Sequence, residues 1–92
     1  MIPRAIQVMG QTFKIRRKRM RHFGFMDGDA KTIWLRSGLD TETAEATLLH
    51  ECIHAILHCA GQTHQLDAAL EESLVRALET GLTQTGYRLK TI

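Results

Sequence analysis

The distribution of apolar and polar residues changes character at Ser37-Gly38. Before that point, short runs alternate with a two-residue period and are broken by turn residues. Ile6-Gln7-Val8-Met9 and Thr12-Phe13-Lys14-Ile15-Arg16 flank a Met9-Gly10-Gln11 turn and predict a β-hairpin. Phe23-Gly24-Phe25-Met26 and Thr32-Ile33-Trp34-Leu35-Arg36, separated by Asp27-Gly28-Asp29, predict a second pair of short strands. Beyond Gly38 the period becomes helical. Asp40 or Thr41 supplies an N-cap, Glu42 and Glu45 suit the positive helix end, and Gly61 supplies a stop after Cys59-Ala60. A second helix is predicted from Asp67 to about Thr83, with Leu70, Leu74, Val75, Leu78 and Leu82 as its apolar stripe and Gly81 and Gly86 weakening its end. Tyr87-Arg88-Leu89-Lys90 reads as a final strand or a frayed tail. The expected fold is α+β, a short antiparallel N-terminal sheet packed on the first helix, followed by the second.

The first helix carries an anomaly. On a wheel at 100° per residue, Thr43, Thr47, His50, Glu51, His54 and His58 fall within about a quarter turn, and apolar residues fill the rest. Such a helix is buried on most sides, and unpaired polar groups in a core are costly. Within the stripe, His50-Glu51-Cys52-Ile53-His54 has the form H-E-x-x-H, which sets two imidazoles one turn apart on one face, the separation at which both ligate one zinc, with Glu51 beside them as a base. His58 lies two turns from His50, about 12 Å of rise, too far to share the same ion. The longer H-E-x-x-H-x-x-G-x-x-H pattern is missing, because position 57 is Leu and position 60 is Ala. Glu71 and Glu72 in the second helix are the candidate third ligands.

Composition bounds the setting. With 92 residues, 43% hydrophobic and 24% charged, the chain holds one domain with one modest core and has no apolar stretch that spans a bilayer. The start, Met1-Ile2-Pro3-Arg4, lacks the features of a signal peptide, so a cytoplasmic location is expected. Cys52 and Cys59 are separated by about 10 Å along one helix, too far for a disulfide, and read as reduced core thiols. The net charge of +2 is unevenly spread: residues 1–26 carry seven Lys or Arg and no acid, and six of these bases fall between Lys14 and Arg21. That segment reads as a solvated strand face or as a contact for nucleic acid or an acidic partner.

The segments Thr47-Leu48-Leu49-His50-Glu51-Cys52-Ile53-His54-Ala55-Ile56-Leu57-His58 and Leu70-Glu71-Glu72-Ser73-Leu74-Val75-Arg76-Ala77-Leu78 resemble the gluzincin metallopeptidases. More narrowly, they are similar to small phage and prophage proteins of the ImmA/IrrE-like group, over about residues 30–85. The resemblance implies a single minimal zincin-like domain, residues 1–92, with one Zn2+ held by His50, His54 and a glutamate. Spacing relative to the following valine favours Glu72; the helix wheel places Glu71 nearer the apolar stripe. The larger group often has Asn or Asp four residues beyond the ligand to orient a histidine, and here that position is Arg76 or Val75.

The implied activity is zinc-dependent hydrolysis of peptide bonds with Glu51 as general base, on a specific protein substrate in a phage or mobile-element context. His58, His64 and Tyr87 are candidate donors to the oxyanion. The resemblance further implies that an edge strand pairs with an extended substrate, for which Thr32, Ile33, Trp34, Leu35 and Arg36 are the expected residues, although Trp34 also reads as core. A different class is a nucleic-acid- or protein-binding module with non-catalytic zinc, favoured by the basic run 14–21. Structural zinc sites usually take four protein ligands, often thiolates, whereas this chain offers three and a glutamate base.

Overall fold

The structure, a computed structural model, describes residues 2–86. The expected elements form: β1 (Ala5–Val8), β2 (Gln11–Lys18), β3 (Gly24–Asp27), β4 (Thr32–Arg36), α1 (Thr41–Cys59), a 3₁₀ turn (Gln62–His64) and α2 (Ala68–Gln84). The expected strand or tail at Tyr87–Lys90 lies outside the described residues. β1 and β2 join through Met9 and Gly10, both with positive φ (49° and 80°), the backbone that matches the twist of a two-residue hairpin. Asp40 caps α1 by accepting from the Thr43 amide at 2.7 Å, and Asp67 caps α2 by accepting from the Leu70 amide at 2.8 Å. Gly61, at φ 76°, ends the first helix as expected.

The sheet is mixed rather than antiparallel. Its order is β1-β2-β4-β3, with β2 and β4 parallel and the other two pairs antiparallel. After β2 the chain leaves one strand's width, forms β3 beyond it, and returns to place β4 in the gap. The 32–36 strand is therefore interior, with neighbours on both sides, and cannot accept an added strand as expected. Its burial agrees: Thr32, Ile33 and Leu35 are all buried, as in a strand covered on both flanks. The free edges belong to β1 and β3.

One face of the sheet carries Ile6, Val8, Phe13, Ile33 and Leu35 against Leu48, Cys52 and Ala55 of α1. The opposite side of α1 presents Leu49 and Ile53 to Val75 of α2, with Leu57 and Leu82 at the margins. The first helix is thus sandwiched, which accounts for its apolar circumference. The second helix departs from its expected stripe: Val75 is fully buried and Leu82 packs at the margin, but Leu70, Leu74 and Leu78 are exposed. α2 is rotated so that Glu71, not Leu70 or Leu74, faces α1.

Candidate metal centre

α1 and α2 together build the centre. His50 and His54 project from one face of α1, their ring centroids 5.1 Å apart. Glu72 of α2 meets both, with Oε1 2.8 Å from His50 Nε2 and Oε2 3.3 Å from His54 Nε2. The three donor atoms lie within 4.8 Å of one another. Ligand atoms around a tetrahedral metal with bonds of about 2.0–2.1 Å stand about 3.3 Å apart, so a small inward shift of this cluster is compatible with a shared metal ion.

The far side of each imidazole is fixed by another carboxylate. His54 Nδ1 donates to Glu71 at 2.6 Å, and His50 Nδ1 donates to Glu79 at 2.8 Å. With Nδ1 engaged by a carboxylate, each ring turns its Nε2 toward Glu72, the arrangement in which an Nε2 that gives up its proton takes a metal. Glu71 therefore turns inward, as the helix wheel indicated, yet it orients His54 rather than joining the ligand atoms. Glu79 was missed from sequence; its only signal is a spacing of seven, two helical turns beyond Glu72. Arg76, four residues beyond Glu72, is exposed and lies 3.5 Å from that carboxylate, so it does not replace the orienting Asn or Asp.

Glu51 is buried at the floor of the cleft, 8% exposed. Burial pushes its carboxyl above the usual range, the charges of His50 and His54 oppose that, and Glu72 and Glu79 add to it. For Glu72, burial is likewise the largest influence and acts upward, but His50, His54 and Arg76 outweigh it and hold the carboxyl below its usual value. Four carboxylates around two imidazoles leave an excess of negative charge that a dication would neutralise. Cys52 sits on the opposite, core side of α1, where burial and then the Glu51 charge push its thiol up to about 12, so it is a packing group and not a thiolate ligand.

A cleft of about 770 Å³ opens over these groups and runs along the edge strand β3, from His22 to Met26. Gly24 is required there. A Cβ on it would stand 2.7 Å from Thr47 Cγ2, 3.1 Å from the Trp34 carbonyl and 3.2 Å from Glu51 Cγ. Because the Arg36 amide donates to the Phe23 carbonyl at 2.7 Å, ladder alternation turns the N–H and C=O of Gly24 and Met26 to the free edge. His58 and His64 are not among the residues lining the cleft; the His58 ring lies instead over Gly28, where it fills the space a Cβ would need. Tyr87 lies outside the described residues. Besides His50 and His54, His22, just before the edge strand, lines the cleft, and the sequence offered no signal for it beyond its place in the basic run.

In comparisons with protein-family models, curated proteins and solved structures, the chain has no significant match. No helix among the described residues is long and apolar enough to cross a membrane.

Proposed function

We propose that this chain is a zinc-dependent metalloendopeptidase, with His50, His54 and Glu72 as ligands and Glu51 as general base. The observation that carries the reading is the convergence of two Nδ1-anchored imidazoles and Glu72 on one point beside a buried glutamate in an open cleft. A bound zinc supplies Lewis acidity to a water and to a carbonyl oxygen. Glu51 takes the proton of the attacking water and returns it to the leaving amine, and its burial, which raises its pKa, favours its holding that proton between the two transfers. Glu71 and Glu79 hold the imidazoles in the ligating tautomer.

An extended peptide adds to β3 rather than β4, pairing with the outward groups of Gly24 and Met26 next to Glu51. The resemblance to gluzincins of the ImmA/IrrE-like group supports a specific protein substrate in a phage or mobile-element setting. Against a structural zinc site stands the ligand count, since among the described residues the cluster has three members. The test is a proteome-derived peptide screen with the zinc-loaded protein. Cleavage is expected for the parent and lost in Glu51→Gln, which retains zinc; equal turnover by both would remove Glu51 from the reaction.

A further inference from the structure

The peptidase reading uses the helical side of the sheet and the β3 edge, where Phe23 and Phe25 border the cleft, and leaves the basic strand unexplained. Side-chain alternation divides β2: Phe13 and Ile15 point toward the core, while Lys14, Arg16 and Lys18 point to the other face of the sheet. The register aligns them with outward residues of the neighbouring strands. Lys14 pairs with Thr32, Arg16 with Trp34, Lys18 with Arg36, and Trp34 in turn with Phe25. The result is a row Arg16–Trp34–Phe25 across three strands, flanked by Lys18 and Arg36. The Lys18 ammonium lies 4.4 Å from the Trp34 ring centroid, and the Arg36 guanidinium 5.2 Å from that of the adjoining Phe23. Phe23 and Phe25 are half exposed.

We infer that this open sheet face binds single-stranded nucleic acid, with Trp34 and Phe25 stacking on unpaired bases and Lys14, Arg16, Lys18 and Arg36 meeting the phosphates. Three observations select this occupant. Among the described residues, none of the four cations has a salt-bridge partner, so the face is complementary to a polyanion. Cations at alternate positions of a strand stand about 6.7 Å apart, a spacing suited to successive phosphates of an extended chain. The aromatic rings lie between the cations on a broad flat surface, which receives splayed bases but does not enter a duplex groove. Lys18 now covers the Trp34 ring; a base in that place releases the ammonium toward the adjacent phosphate.

Trp34 is the only tryptophan, so its emission reports contact with a base directly. Titration of the intact protein with a 12-nucleotide oligothymidylate or oligouridylate should quench it, with a log–log salt slope approaching about −3 from four cations. Phe25→Ala, at a half-exposed position, should weaken binding roughly 5- to 100-fold. Arg16→Glu should weaken it and flatten the slope, with circular dichroism verifying the fold of both variants. Three results overturn the inference: no binding to either single strand at low salt, equal binding to the corresponding duplex, or affinity confined to anionic phosphatidylserine vesicles or polyglutamate. His54→Ala should leave oligonucleotide binding unchanged, which separates this outcome from that of the peptidase reading.

Discussion

Replacing the two carboxylates behind the histidines distinguishes ligands from orienting groups. Glu71 accepts from His54 Nδ1 at 2.6 Å with its side chain 12% exposed, and Glu79 accepts from His50 Nδ1 at 2.8 Å with its side chain 27% exposed. Losing such a partner frees the tautomer and ring orientation and costs typically 10- to 100-fold in metal affinity, about 1.4–2.7 kcal/mol. The shorter, more buried contact should matter more, so Glu71→Ala should approach the upper figure and Glu79→Ala the lower. Glu71→Gln keeps an acceptor without the charge and should fall between the parent and Glu71→Ala. Glu72→Ala removes a ligand and should weaken zinc beyond all of these. The assay is competition for zinc against a chromophoric chelator at fixed pH, with the surface variant Glu42→Gln as control. Unchanged affinity in Glu71→Ala, or a greater loss there than in Glu72→Ala, would reverse the assignment of the two glutamates.

Gly24→Ala forces a methyl into Thr47 Cγ2 and the Trp34 carbonyl; overpacking of this kind costs about 1–3 kcal/mol, expected as a fall in melting temperature of roughly 5–20 °C, and an unchanged midpoint would contradict the close approach of β3 to α1. Glu51→Gln should stabilise the metal-free protein in urea at neutral pH. Its raised folded pKa means that stability present below the ordinary carboxylate range is lost as pH rises through the folded value, and a Gln variant does not incur that loss. Asp40 behaves oppositely. Its carboxyl is held below the usual value by the Thr43 amide, so its contribution is complete above the ordinary carboxylate range and disappears as pH falls through the folded value. Asp40→Asn should flatten the acid limb of the pH–stability curve, and an acid limb identical to the parent's would rule out this cap as its source.

The local elements were legible because each has local causes. Asp40 and Asp67 cap, Gly61 terminates and Met9-Gly10 turns through interactions spanning a few residues, and the H-E-x-x-H spacing fixes two imidazoles by helix geometry alone. Strand order has no such local cause. Thr32–Arg36 and Gly24–Asp27 form the expected antiparallel pair, but which flank β2 occupies depends on contacts with Lys14–Lys18, nearly twenty residues earlier. The parallel pairing, and the exchange of β4 for β3 as the edge beside the cleft, follow from that. The rotation of α2 was misread for a related reason. A hydrophobic wheel centred the helix on Leu70, Leu74 and Leu78, whereas the hydrogen bonds from His50 and His54 to Glu79 and Glu71 turn the acidic face inward and leave those leucines exposed. The wheel already brought Glu71 inward, but the parts that Glu71 and Glu79 play behind the histidines became visible only once the two helices faced each other.

X-ray absorption at the zinc edge of the purified, zinc-loaded protein tests the metal centre most directly. The account predicts about one zinc per chain with only nitrogen and oxygen neighbours at about 2.0–2.1 Å, two imidazoles among them, and loss of that signal in His54→Ala. A sulfur neighbour at about 2.3 Å, or full zinc retention in His54→Ala, would contradict it.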